Sequence, residues 1–295
     1  MRLVWSDAYD VDLFGHVFPA AKYKLVREAV LAQGLARPDD LVAACAADRD
    51  DLLLVHTPAY LNDLLSLRWT QRTMRSEMAL TREIRDAFLF TAGGTIAAAG
   101  LALEDGVCVH IGGGYHHAYP DHAEGFCYLN DVAIGIAAML ERMRIHRACI
   151  VDCDLHQGNG TAFIFAARPE VFTFSIHQEN NYPPKERSDL DVGLPDGAGD
   201  ELYLRELAVV GEVLDRHKPD LCVYLAGADP YEGDMLGGLA ITKEGLRRRD
   251  ALVFEECRAR GLPVCTVLAG GYAPDVGDVV DIHVNTVREA RRVFG

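Results

Sequence analysis

Apolar runs that end in polar clusters recur along this chain. Val107-Cys-Val-His-Ile111 runs into Gly112-Gly-Gly-Tyr-His-His117. Ala148 to Asp154 ends at His156, and Val171 to Ile176 ends at His177. Leu221 to Leu225 ends at Ala226-Gly-Ala-Asp229, and Val264 to Leu268 at Ala269-Gly-Gly-Tyr272. These runs are continuous rather than alternating, which predicts strands buried on both faces. Helical spacing between them predicts helices over about Asp131–Met143, Glu201–His217 and Thr242–Arg260. Alternating strand and helix is the signature of an α/β fold, a central, mostly parallel β-sheet covered by helices on both faces. Upstream, Leu3-Val4-Trp5 and Leu52-Leu-Leu-Val55 read as further strands. Ala20–Gln33 and about Arg82–Leu103 read as helices, with Gly93-Gly94 marking close packing or a weak break. Thr57 is a helix cap with Pro58 at the first helical position, before an apolar face of Tyr60, Leu61, Leu64 and Leu65.

Composition changes this picture little. The chain has 295 residues, 49% hydrophobic and 25% charged, as ordered globular proteins do. It has no repeat, low-complexity run or linker, so residues 1–295 read as a single domain. The formal charge of −15 argues against direct nucleic-acid binding, which needs a basic face, and permits a cationic substrate. The start, Met1 to Asp7, lacks the apolar run of a signal peptide, and no stretch is read as approaching the roughly 18 apolar residues of a membrane span. The eight cysteines include no CxxC pair. Cys108, Cys149, Cys153, Cys222 and Cys265 sit in apolar runs, as small buried hydrophobes of a reducing, cytoplasmic setting do.

The polar clusters carry the chemistry. In open α/β sheets ligands bind beyond the carboxyl ends of strands, and every cluster above lies at such an end. Asp152 and Asp154 are two apart, so they share a strand face and repel unless something positive lies beside them. Asp154-x-His156 offers an oxygen and an imidazole nitrogen, although alone it reads equally as a strand end with capping aspartates. Asp229 is a third candidate ligand, or a cap before Pro230. Three protein ligands plus water make an open, catalytic type of site. His116 and His117 alone would be surface loop residues; beside a metal they become candidate general base, general acid and electrostatic support. Asp152 is accounted for if it holds one imidazole, and Asn159 is placed to orient the other. Tyr272 is a packed aromatic if isolated, or a hydroxyl over the site that stabilises an oxyanion. Together these groups suit amide hydrolysis.

The motifs resemble the histone deacetylase family, within the arginase/deacetylase fold. The resemblance runs from His16-Val-Phe-Pro19 to Tyr272. It is carried by Gly112–His117, Gly125-Phe-Cys-Tyr-Leu-Asn-Asp131, Val151–Gly160, Phe174-Ser-Ile-His177, Leu225–Asp229 and Ala269–Tyr272. Gln157, Asn159 and Asp234-Met-Leu-Gly-Gly238 make it most similar to class IV deacetylases and their bacterial relatives. The resemblance implies a zinc-dependent lysine deacylase, with ferrous iron as an alternative metal. Asp154, His156 and Asp229 match the metal ligands. His117 matches the general base and acid, His116 its electrostatic partner paired with Asp152, and Tyr272 the carbonyl-polarising tyrosine. Gly125 and Phe126 match the acyl tunnel, with Tyr182 as the opposite wall. A structural potassium would take Asp152, Asp154, His156, Ser175 and Ile176, and a second would fall near Phe165, Arg168 and Val171. Asn159 stands where class I members carry Asp and cannot bear a charge, so His117 should be less basic than in those members.

The implied substrate is an acylated lysine of a peptide or protein, or a small acylated amine such as a polyamine. A dimanganese ureohydrolase would need further carboxylates where Gly158 and Tyr231 stand. A non-catalytic acyl-ligand binder would be expected to lack part of the catalytic set, and none is missing. The oligomeric state is unknown from sequence.

Overall fold

The computed structural model describes residues 1–295. One sheet holds eight strands: β1 Arg2–Trp5, β2 Leu41–Ala43, β3 Val107–His110, β4 Ala148–Asp152, β5 Val171–Gln178, β6 Leu190–Leu194, β7 Leu221–Leu225 and β8 Val264–Val267. Their order is β2-β1-β3-β8-β7-β4-β5-β6, and every pairing is parallel. Ten α-helices cover it: α1 Ala21–Ala32, α2 Arg49–Leu53, α3 Pro58–Leu65, α4 Arg82–Asp105, α5 Asp131–Glu141, α6 Asn159–Phe165, α7 Asp200–Leu207, α8 Val210–His217, α9 Lys243–Ala259 and α10 Val276–Phe294. The central strands β3, β4, β7 and β8 are buried at every position, which is why they read as almost continuous apolar runs, interrupted only by His110, Asp152 and Thr266.

The strand order builds the site. β3, β8, β7 and β4 lie side by side. The segments that follow them carry His116-His117, Tyr272, Asp229 and Asp154-x-His156. Residues up to 156 positions apart in the chain therefore converge at one edge of the sheet.

Four sequence expectations need correcting. Leu52–Val55 is not a strand: Leu52 and Leu53 close α2 and the rest is turn, with Leu52 buried and Leu53 exposed. A four-residue apolar run cannot be assigned by periodicity alone. The helix expected over Glu201–His217 is two, α7 and α8, broken at Ala208-Val209 where the weak helix formers Val209, Val210 and Gly211 follow. Edge strands β2 and β6 were not anticipated: β6, Leu-Asp-Val-Gly-Leu, is half-exposed and lacks an apolar run, and β2 is only three residues at the head of the apolar stretch Leu41–Ala47. Finally, α4 is long and apolar enough to cross a membrane, against the expectation that no stretch is. Within the fold it is a core helix packed on α5, β3 and β8. Gly93 and Gly94 do not break it; a Cβ there would collide with Cys45 O and with Tyr9 and His110. Thr57 and Thr81 cap α3 and α4 through their hydroxyls.

Candidate active site

The acid–imidazole triad sits where β4 and β7 end. Their register pairs Asp152 with Leu225, so the segments leading to Asp154 and Asp229 run alongside each other. His156 Nδ1 lies 3.3 Å from Asp154 Oδ1 and 3.2 Å from Asp229 Oδ2, and the three ligand atoms fall within 4.8 Å of one another. All three side chains are buried. Backbone amides hold the other oxygens: Leu155 N donates to Asp229 Oδ1 at 3.0 Å and Gly270 N to Asp154 Oδ2 at 2.9 Å. Asp229 Oδ2 is buried without a well-formed hydrogen bond, which a native fold rarely tolerates in a carboxylate. Two carboxylate oxygens and one imidazole nitrogen, one oxygen left free, fit a divalent cation of the zinc or ferrous type. Gly227 and Gly270 make this approach possible: a Cβ on either would strike the Asp154 and Asp229 carboxylates. Burial works against charge on His156, yet the Asp154 and Asp229 carboxylates beside it raise its affinity for a proton when no metal takes the proton's place. The same field favours any cation.

The histidine pair is set by the glycine turn after β3. Gly113 and Gly114 have φ of 73° and 93°. The buried Asp131 carboxylate accepts from Gly114 N (3.1 Å), Tyr115 N (2.8 Å) and Thr95 Oγ1 (2.5 Å), which pins the turn to α5 and α4. His116 Nδ1 then lies 2.7 Å from Asp152 Oδ2 and His117 Nδ1 2.7 Å from Asn159 Oδ1. The two Nε2 atoms are 3.1 Å apart. Burial opposes a charge on His116, but Asp152 and Asp154 outweigh it and push it up to about 9. Burial, and then the charge on His116 and His156, hold His117 well below the usual imidazole range. One imidazole is therefore set up to hold a proton and its neighbour to lack one.

A pocket of about 200 Å³ opens onto His117 and His156. Gly125, Phe126, Tyr182 and Tyr272 line it, together with three residues the sequence did not single out for the site: Glu77, Asn181 and Leu236. Tyr182 stands 5.3 Å from the His117 ring and 6.1 Å from His156; Tyr272 is 6.0 Å from Phe126 and 6.4 Å from His156. A Cβ on Gly125 would collide with Tyr182 and His117. Asp234 Oδ2 accepts from Tyr272 N at 2.6 Å.

The residues implied for potassium are contiguous. Ser175 pairs in register with Asp152, Ile176 follows on β5, and Asp154 and His156 follow β4. Phe165, Arg168 and Val171 form the turn between α6 and β5, where Arg168 N donates to Phe165 O (2.8 Å) and Val171 N to Arg168 O (2.9 Å).

Two buried cations brace the acid segments from behind. Lys22 Nζ on α1 donates to Ala269 O at 2.6 Å. Burial pulls this amine down to about 8 against the pull of Asp229 and Asp154. Arg249 on α9 donates to Gly227 O (2.5 Å) and Cys153 O (3.3 Å) and pairs with Asp250 at 2.8 Å. Sequence offered little signal for either. Lys22 is one cation in a polar stretch of helix, and Arg247-Arg-Arg249 reads as a solvated charge run.

Fold and site define an α/β protein with a metal-binding triad and a histidine pair at the carboxyl edge of a parallel sheet. The family model described as "Histone deacetylase domain" matches residues 16–287. An uncharacterized protein of Picosynechococcus sp. is 43% identical over 282 residues, covering 95% of this chain and 94% of its own. Histone deacetylase 2 of Arabidopsis thaliana is 32% identical, covering 95% of this chain and 76% of its own. A crystal structure of an HDAC homologue complexed with SAHA superposes with a TM-score of 0.82 at 21% identity, covering 99% of this chain and 84% of the other. The HD domain of HDA15 gives 0.80 at 22%, covering 99% and 95%. This chain belongs to the histone deacetylase family.

Proposed function

We propose that this protein is a zinc-dependent amidohydrolase that removes an acyl group from a lysine side chain. One observation carries the reading. A pocket lined by Phe126, Tyr182, Leu236 and Tyr272 opens onto His117 and His156, and directly behind these two stand His116 and the Asp154 and Asp229 carboxylates. A divalent cation held by Asp154, His156 and Asp229 supplies Lewis acidity, lowering the pKa of the attacking water and polarising the amide carbonyl.

The chain's own groups do the rest. His117 takes a proton from the water as its oxygen bonds to the carbonyl carbon. The Tyr272 hydroxyl donates to the oxygen that gains negative charge. An imidazolium returns a proton to the nitrogen as the C–N bond breaks, releasing a free amine and a carboxylate. Asp152 keeps His116 charged, and that charge stands beside both the triad and His117. The same reading assigns a structural potassium ion to Asp152, Asp154, His156, Ser175 and Ile176.

Glu77 supports a second reading. Its exposed carboxylate lines the pocket and would favour a small acylated amine with a distant positive charge, such as an acetylated polyamine. A turnover panel on zinc-loaded protein, from acetyl- to myristoyl-lysine peptides with an acetylpolyamine alongside, separates the two. His117→Ala is expected to lower turnover by about 10²- to 10⁴-fold and Tyr272→Phe by about 10²- to 10³-fold. Chelation should abolish turnover and added zinc restore it. If both variants hydrolyse acyl-lysine normally, the mechanism is wrong.

A further inference from the structure

To act as a base His117 needs an unprotonated Nε2, the atom that meets His116 Nε2 at 3.1 Å, and Asn159 alone does not guarantee that. A side-chain amide can present either oxygen or NH₂ to an imidazole. With oxygen toward Nδ1, the ring carries its proton there and leaves Nε2 bare. With NH₂ toward Nδ1, the proton moves to Nε2 and the base is lost.

The surroundings of Asn159 choose between these. Asn159 Nδ2 lies 3.2 Å from Tyr119 Oη, and Tyr119 Oη lies 3.2 Å from Glu186 Oε1. An ionised carboxylate only accepts, so the single phenol proton points to Glu186. The phenol oxygen must then accept from the Asn159 NH₂. The amide oxygen is left facing His117 Nδ1 at 2.7 Å, and Nδ1 must donate. Hydrogen-bond polarity thus runs one way from a half-buried carboxylate to the buried histidine.

Each link is anchored. Glu186 N donates to Gln157 Oε1 at 2.8 Å, and Glu186 O accepts from Gln157 Nε2 at 2.6 Å. Gln157 Nε2 also reaches Asp191 Oδ1 at 2.7 Å. The Tyr119 ring stacks on His122, 4.6 Å away with 12° between planes, and packs on Phe163 at 5.1 Å. Its carbonyl is held by His56 Nδ1 at 3.0 Å.

We propose that Tyr119 and Glu186 are positioning residues for His117. The chain Glu186–Tyr119–Asn159–His117, pinned by Gln157, selects the tautomer in which Nε2 carries no proton, the same one favoured by the charged His116, whose Nε2 faces it at 3.1 Å. It carries orientation rather than charge to His117, because both middle links are neutral. The role of this chain in turnover rests on the hydrolase reading above; its effect on the tautomer does not.

The test is long-range ¹H–¹⁵N correlation on histidine-labelled, zinc-loaded protein, with His117 assigned by its loss in His117→Gln. Native protein should show His117 protonated at Nδ1. Tyr119→Phe and, as a second variant on the outer link, Glu186→Ala should each raise the Nε2-protonated population. They should lower kcat about 2- to 10-fold, the worth of one hydrogen bond, with KM held. Glu186→Gln, which retains an acceptor oxygen, should fall between Glu186→Ala and native. An unchanged tautomer and kcat in both Tyr119→Phe and Glu186→Ala would overturn the proposal. A shifted tautomer in a protein that hydrolyses no acyl-amine would uphold the positioning chain and sink the hydrolase reading instead.

Discussion

His116 and His117 are neighbours in sequence and touch through Nε2, yet they are braced by opposite chemistry. The His116 arm is short, sealed and charged, ending 2.7 Å away at the buried Asp152 carboxylate. The His117 arm is longer and neutral, leading through Asn159 and Tyr119 toward the surface. Two identical side chains one residue apart thus receive different proton affinities from what stands behind each ring. Acid and base are assigned by environment, not by residue type.

The strongest way to break this contrast is to neutralise the charged arm. Asp152→Asn keeps a hydrogen-bonding group beside His116 but removes the charge that offsets its burial. His116 should then lose its proton near neutral pH, and kcat should fall by about 10- to 100-fold, as when a metal site's outer partner is removed. Bound zinc, measured alongside, should remain near one per chain. An unchanged kcat would mean that the charge on His116 is not used.

Making the arms alike is a smaller change. Asn159→Asp places a carboxylate against His117 and stabilises its imidazolium, so its pKa rises. The deprotonated base then appears only at higher pH. The acidic limb of the kcat/KM profile should move up by about one unit or more. A limb that stays in place, or moves down, would show that His117 is not the base seen in that profile.

Much of this contrast could be read from sequence, and the unread part has a common cause. Asp152, Asp154, His156 and Asn159 lie within one strand end and its turn, so spacing alone gathered them. Asp229 and Tyr272 were legible because each ends an almost continuous apolar run. The supports were not: Tyr119, Glu186, Lys22 and Arg249 lie in loops or helices that carry ordinary polar residues elsewhere. Their meaning depends on which element packs on which, and no local period encodes that. Lys22 meets Ala269 across 247 residues, and Arg249 meets Cys153 across 96. Edge strand β6 escaped for the inverse reason, since a half-exposed strand needs no apolar run, and β2 escaped because three residues are too few to show a period.

A third histidine sharpens the comparison at the smallest scale, because it is held neutral outright. His56 Nδ1 reaches Tyr119 O at 3.0 Å, and its Nε2 accepts from Asn130 N at 3.1 Å. With a backbone amide donating to one nitrogen, the other must carry the ring's only proton. Burial, against the pull of the Tyr119 and Pro120 carbonyls, brings this imidazole down to about 4. The sign follows from proton counting. Between about pH 6.5 and 4 the unfolded chain binds a proton at His56 that the folded chain refuses, so stability rises with pH there. The contribution is fully present above pH 6.5 and is lost as pH falls, amounting to up to about 2 kcal/mol by pH 5. His56→Gln should be less stable at pH 8, since a buried, doubly bonded ring is gone. Its loss of stability between pH 8 and 5, measured by urea unfolding, should also be smaller than that of native protein by about this amount. Parallel losses in the two proteins would mean that His56 protonates equally well in the folded chain. The Tyr119 carbonyl would then be held by something other than a neutral ring.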